Sequence, residues 1–360
     1  MKFEIEKKRI STSRFVKNAR NSLESDRSRA VIVTVVIAII GPVILLMVIL
    51  DIGGPSRTEN VIAASAVSGN EEDVYAQTPM CDKNGKCGEP PEVPSPRTVY
   101  SARSARQYSR WSASHDGLKR SAADFAARRR NDPTKKRALI LLGDSITESW
   151  TGTSMGEPVA RAEGVPDVLK KMAAHNFLDP LVLGIGGDQT QHLIYRLQDA
   201  ELLPEFADDD DAVFVVLIGT NNLGAGILPG PTIGGVRAVA EYILENTKGN
   251  LAVMELLPRG DGQLRLPKLC PPRCTSDGDP FESFMPAVTK VNAAISRMVP
   301  ELKKNYGRRI GRLDCGEAFL SGDAGSEVDR DLMPDLLHPN AHGHELLAQC
   351  ILHYIDGITV

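Results

Sequence analysis

The stretch "KRALILLGDSITESW", residues 136–150, decides how the chain is read. Ala138 to Leu142 is an unbroken apolar run of strand length, as expected for a strand buried on both faces. It ends in Gly143-Asp144-Ser145, with polar Thr147 and Glu148 just beyond. A core strand that delivers one serine to a turn gives that serine a rigid platform.

The same alternation continues outward. Short apolar runs recur at Leu181–Leu183, Ala212–Ile218, Leu251–Leu257 and Arg309–Leu313. Helix-like stretches separate them, around Val165–Ala174, Gln189–Leu197, Val236–Glu245 and Pro286–Val299, and an amphipathic segment, Ala341–Tyr354, closes the chain. Strands alternating with helices predict an α/β fold: three α/β/α layers around a central, mostly parallel five-stranded sheet. A helical lead-in from Tyr100 to Asn131 carries Trp111 and Phe125. Ligands of such sheets bind outside the carboxyl ends of the strands, which is where Ser145 falls.

Three other strand ends carry unusual residues. "GIGGDQT" (Gly184–Thr190) follows the second strand, and its glycines let backbone amides approach a ligand. "GTNN" (Gly219–Asn222) follows the third. Near the C-terminus, "MPDLLHPNAHGHE" places Asp335 three residues before His338. A serine nucleophile needs a base, and the base needs an acceptor to fix its tautomer. His338 and Asp335 suit those roles. The N–H groups of Ser145 and Gly187 and the Asn221 carboxamide suit an oxyanion hole. Asp144, Asp188 and Asn222 are expected to support the site, with His192 ordering its loop.

Each block alone is weak, but their order after consecutive strands is specific. The sequence resembles the SGNH (GDSL-like) hydrolase family through Gly143-Asp144-Ser145, Gly187 before Asp188, Gly219-Thr220-Asn221-Asn222 and Asp335-Leu336-Leu337-His338. The resemblance implies an SGNH, flavodoxin-like fold over roughly residues 100–356, with nucleophile Ser145, oxyanion donors Gly187 and Asn221, and Asp335–His338 completing a triad. Within the family, "GIGGDQTQHLIYRL", "GTNN", "LLPRG" and "RWSASHDGLKR" are most similar to the catalytic subunits of intracellular platelet-activating-factor acetylhydrolase. The segment from Asp261 to Phe281, containing "CPPRC", looks like an insertion. An α/β-hydrolase elbow requires G-x-S-x-G, and Thr147 stands at its last position.

Residues 1–29 form a basic tail, including Lys7, Lys8, Arg9, Arg14, Lys17, Arg20, Arg27 and Arg29. Ala30 to Leu50 is uncharged and long enough to cross a bilayer as a helix of ~30 Å. Acidic residues dominate just after it, so the positive-inside rule predicts a type II signal anchor. The N-terminus is then cytosolic, and the rest lies in the ER or Golgi lumen or outside the cell. Residues 51–98 read as a flexible Pro-rich stem, and 99–360 as the hydrolase domain with its lead-in.

All six cysteines lie beyond the span, on the side expected to be oxidising. Cys81 with Cys87 and Cys270 with Cys274 are candidate local disulfides, with a zinc site built from both pairs as the weaker alternative. Cys315 and Cys350 sit in apolar patterns and are expected to be buried thiols.

The formal net charge is −4 and aromatic content is low, which argues against nucleic-acid binding. The basic runs Arg128–Arg130 and Lys135–Arg137 read as a solvated face. Asp208–Asp211 lacks the spacing of a calcium loop. His342 and His344 begin the closing helix behind an Asn340 N-cap, so no metal is expected, and no cofactor.

The expected function is a membrane-anchored serine esterase acting through an acyl-enzyme. Its partners would be the bilayer and an ester substrate, either an acetylated glycan or an acetylated or lyso phospholipid. A homodimer, O-acyl transfer to glycans, and a catalytically silent binding protein on the same fold are left open. Activity is expected to fall in acid, because only a neutral imidazole accepts the serine proton.

Overall fold

A computed structural model of the chain describes residues 88–99, 101–131, 136–322 and 327–358. Among them no helix is long and apolar enough to cross a membrane. The basic tail, the expected span at Ala30–Leu50, and Cys81 and Cys87 lie outside the described residues.

A long helix α1 (Ala102–Asn131) leads into β1 (Arg137–Gly143), the one-turn helix α2 (Ser145–Glu148), α3 (Val165–His175) and β2 (Leu178–Gly184). Then follow α4 (Thr190–Arg196), β3 (Val213–Leu217), α5 (Thr220–Gly224), α6 (Pro229–Asn246) and β4 (Asn250–Met254). The chain ends with α7 (Gly262–Leu269), α8 (Met285–Tyr306), β5 (Ile310–Leu313) and α9 (Ala341–Ile358). The five strands form one sheet in the order β2-β1-β3-β4-β5. Every pairing in it is parallel, with Gly143 opposite Gly184 on one side and Leu217 on the other.

Parallel strands need crossover helices, and these cover both faces of the sheet. Helix α6 packs against α4 and α8 in one layer, and α3 against α9 in another. Buried between them, β1 from Ala138 to Gly143 and all of β3 are inaccessible to solvent. Each Leu, Ile or Val fully buried there contributes roughly 1.5–3 kcal/mol, so the strand that ends at Ser145 is held by the centre of the core. The strand order reverses direction between β1 and β3, and the crevice at such a switch point is where α/β sheets bind ligands.

Several element boundaries differ from the sequence pattern. The fourth apolar run, Leu251–Leu257, leaves the sheet after Met254. Its last residues instead approach α8, where Asn292 exchanges two hydrogen bonds with the Leu256 backbone. Helix α6 begins at Pro229 because "PGPTIGG" still accommodates helical geometry behind an N-terminal proline.

The expectation of buried thiols at Cys315 and Cys350 is corrected. Cys315 follows β5, and Cys350 lies on α9, which packs over that edge of the sheet. Their Cα atoms are 6.0 Å apart and the sulfurs are bonded. The apolar surroundings were legible, but the proximity of residues 35 apart in sequence depends on the docking of α9. Cys270 and Cys274 are also bonded to each other. A Cys315→Ser/Cys350→Ser double variant is expected to lose roughly 2–4 kcal/mol, because the bond restricts a long loop of the unfolded chain. Urea denaturation of the two forms measures this, and equal midpoints would count against it.

Residues 88–98, expected to belong to a flexible stem, are instead seated on the domain. Pro91 is buried, its carbonyl accepts a hydrogen bond from Thr190 Oγ1 (2.8 Å), and Ser95 N–H donates to the Gln191 carbonyl. The ordered body therefore begins before α1.

Candidate active site

The turn after β1 is built for close approach. A Cβ on Gly143 would lie 2.3 Å from the Leu217 carbonyl oxygen and 2.4 Å from Thr147 Oγ1, so only glycine fits. The chain then turns at Asp144, whose carboxylate accepts the Ile146 N–H (3.0 Å) and caps α2. Ser145 is left at the rim of the sheet, 6% exposed.

Ser145 Oγ lies 2.9 Å from His338 Nε2, and His338 Nδ1 lies 2.7 Å from Asp335 Oδ2. Asp335 and His338 come from one turn. Its geometry rests on Leu336 in the left-handed region (φ 64°), an unusual conformation for a leucine. The Leu336 carbonyl accepts the Gly260 N–H, and its N–H donates to Met333. Asp335 Oδ1 accepts the backbone N–H groups of Leu337 and His338 (3.1 and 2.7 Å). Burial alone would raise the Asp335 carboxyl, but these bonds and the His338 side chain outweigh it and hold the group at about 2. Asp335 is thus an ionised acceptor, and it keeps the proton of a neutral His338 on Nδ1, leaving Nε2 free to accept.

The loop after β2 carries Gly187 at φ 81°, a conformation that favours glycine. The N–H groups of Ser145 and Gly187 have no acceptor among the described residues. The Asn221 carboxamide differs: its Nδ2 donates to Asp144 Oδ2 (3.1 Å) and to the Asp188 carbonyl (3.0 Å). Asn221 therefore touches both of the other blocks while its hydrogens remain engaged. Asn222 ties α5 to the start of α4, accepting from Thr190 N–H and donating to Thr190 Oγ1 (both 3.1 Å).

Asp188 and Asp144 lie buried behind these groups, with their carboxyls shifted in opposite directions. Asp188 is 0% exposed and accepts from Trp111 Nε1 (2.8 Å), Arg97 (2.8 Å) and Arg196 Nε (2.7 Å). Burial works against its charge, but the two guanidinium groups prevail and hold its carboxyl below the ordinary range. Among the described residues Asp144 has no such cation in contact. Burial, helped by the charge of Asp188, pushes its carboxyl up to about 7.

Several residues central to this arrangement were given no site role from the sequence, although Arg196, Arg259 and Trp111 lie inside stretches that carry the family resemblance. Arg196, fully buried, joins Asp188 to Glu201 and donates to the Gly143 and Leu183 carbonyls (3.1 and 3.3 Å). It thereby stitches together the ends of β1 and β2. Glu148 holds the loop from the other side, accepting from Gly186 N–H (2.7 Å) and Gly156 N–H (2.8 Å). Arg259 is also fully buried, bonded to Asp261 and donating to the Thr220 carbonyl (2.6 Å) beneath α5. Arg97 and Trp111 precede the first strand.

His338, His342 and His344 point in different directions. His342 is exposed and pairs with Glu345 (3.1 Å). His344 is buried, packs edge-on against Trp150 (4.6 Å) and faces the Ile146 carbonyl. Burial lowers its pKa, which keeps it neutral. Asn340 Oδ1 accepts the Gly343 N–H (3.0 Å), capping α9. His192 Nδ1 accepts the Gln189 N–H (3.1 Å), so its Nε2 donates to Glu89 (3.2 Å) and the ring orders the loop beside Asp188. A cavity of 340 Å³ opens beside Asp335 and His338, with Arg161, Pro334 and Ala341 in its wall.

The GDSL-like Lipase/Acylhydrolase family profile matches residues 141–346, more than half of the chain. Among curated proteins, the chain is 37% identical over 127 residues to platelet-activating factor acetylhydrolase IB subunit alpha1 of Homo sapiens, covering 35% of this chain and 46% of that one. It is 31% identical over 113 residues to subunit alpha2 of Rattus norvegicus, covering 31% and 44%. The chain thus spans about half the length of the curated relatives it matches. A GDSL-like lipase from Bacteroides thetaiotaomicron aligns over 66% of this chain and 98% of its own, with a TM-score of 0.44 and 17% identity. With the family profile running from β1 into α9, the chain belongs to the GDSL-like lipase/acylhydrolase family.

Proposed function

We propose that the protein is a serine-dependent carboxylic ester hydrolase acting on short-acyl, in particular acetyl, esters. The observation that carries this reading is the continuous chain of contacts from Ser145 Oγ through His338 to Asp335. Ser145 Oγ attacks the ester carbonyl while its proton passes to His338 Nε2. The carbonyl oxygen becomes an oxyanion and is met by the N–H groups of Ser145 and Gly187. Asn221 joins them by redirecting one amide hydrogen. Collapse breaks the C–O bond, and His338 returns the proton to the leaving alcohol. Water, deprotonated by the same imidazole, then releases the acid from the acyl-enzyme.

The cavity beside His338 and Asp335 offers room for part of a substrate next to the triad. The similarity to the platelet-activating factor acetylhydrolase subunits supports an acetylated phospholipid. A display of the domain in the lumen or outside the cell, on an anchor at Ala30–Leu50, supports an acetylated glycan equally. The two disulfides support an oxidising compartment.

The test uses full-length protein with p-nitrophenyl esters of increasing acyl length, then acetylated glycan and acetylated phospholipid at matched concentration. Acetyl ester is expected to be turned over fastest, and the glycan-to-lipid ratio chooses the substrate. A folded protein that hydrolyses no ester and does not react with a fluorophosphonate would overturn the reading.

A further inference from the structure

The segment before α1 reaches the site in a specific way. Arg97, only partly exposed, donates from its terminal nitrogen to the Gly186 carbonyl (2.5 Å) and to Asp188 Oδ1 (2.8 Å). Its guanidinium stands beside Gly187, where a Cβ would meet it at 3.3 Å. The Gly186 carbonyl and the Gly187 N–H belong to one peptide group. That group is planar and trans, so its C=O and N–H point in opposite directions. Gripping the oxygen from the strap side therefore aims the N–H away from the strap. With glycine on both sides, the peptide has little intrinsic preference and could rotate if released.

We propose that Arg97 is a positioning residue that aims the Gly187 N–H at the oxyanion, which makes residues 88–97 part of the active site. The inference rests on the esterase reading above. The strap is anchored along its length to deliver this one side chain. Glu89 accepts from His192 (3.2 Å), Gln191 (3.3 Å) and Ser95 (3.2 Å). Pro91 is held against α4 and lies so close to Gly235 of α6 that a Cβ there would come within 2.8 Å of it. Asp188 fixes the fork of the guanidinium, and Arg196 and Trp111 fix Asp188 in turn. The positive charge on the carbonyl also polarises the peptide and strengthens its N–H as a donor.

The test compares full-length wild type, Ser145→Ala, Arg97→Ala and Arg97→Lys with an acetyl ester, together with inhibition by an alkyl boronic acid, whose tetrahedral serine adduct uses the same donors. Loss of activity in Ser145→Ala secures the esterase reading, and its absence would remove that reading before Arg97 is judged. Arg97→Ala is expected to lower kcat roughly 10- to 100-fold, somewhat less than removal of a whole oxyanion donor. KM should stay within about twofold, as for an interaction made only in the transition state. Boronic acid affinity should fall by a factor similar to that for kcat. Arg97→Lys should recover part of both, because an ammonium can reach the Gly186 carbonyl but cannot form the fork to Asp188. Wild-type kcat in Arg97→Ala, or a change confined to KM, would overturn the proposal. If the alanine variant does not fold, the lysine variant decides by the same two readouts at unchanged melting temperature.

Discussion

Ser145→Ala is expected to abolish ester turnover, with kcat falling by about 10⁶-fold, as loss of the nucleophile costs a serine hydrolase. The fold should be unaffected, because among the described residues the deleted hydroxyl hydrogen-bonds only with His338. The groups that shape the turn use other atoms. Asp144 caps α2 through Ile146 N–H, and Ser149 Oγ donates to the Ser145 carbonyl (2.8 Å). Equal melting temperatures, loss of hydrolysis and loss of fluorophosphonate labelling together would identify the nucleophile. Retained hydrolysis would remove Ser145 from the mechanism and leave Asp144-Ser145 as a structural turn.

The sheet and the four blocks at its rim were legible because each has a local cause. A strand buried on both faces must be apolar throughout, as from Leu139 to Leu142, and a turn against the neighbouring strand requires a glycine, as at Gly143. The order of the blocks then places Ser145, Gly187, Asn221 and the Asp335–His338 turn at one edge. What the sequence did not reveal depends on distance along the chain. Arg196 reads as an ordinary helical arginine until Asp188 and Glu201 close around it. Arg97 stands in a proline-rich stretch whose composition suggests an extended linker, and only the docked domain supplies its partners. Cys315 and Cys350 present the same difficulty. The left-handed Leu336 had no signal at all, since glycine or asparagine would be the usual residue there.

The second large effect is expected at Asp335. In Asp335→Asn, the oxygen that accepts the Leu337 and His338 backbone N–H groups must remain an oxygen if the turn is to persist. The amide nitrogen is then directed at His338 Nδ1, where the carboxylate Oδ2 stood at 2.7 Å. A donor in that place makes Nδ1 the acceptor and puts the imidazole proton on Nε2, facing Ser145. The histidine is present and correctly placed but holds the wrong tautomer. A loss of about 10⁴-fold in kcat follows, by analogy with the equivalent change in a serine protease. The Asp335 carboxyl is held at about 2, so its contribution to stability and orientation is in place above the ordinary carboxylate range and is lost only as pH falls through about 2. Loss of wild-type activity in mild acid therefore does not come from protonation of Asp335. Measuring kcat for both proteins from pH 5 to 9, with circular dichroism to confirm the fold, tests the argument. An asparagine variant within tenfold of wild type would show that Asp335 does not set the tautomer.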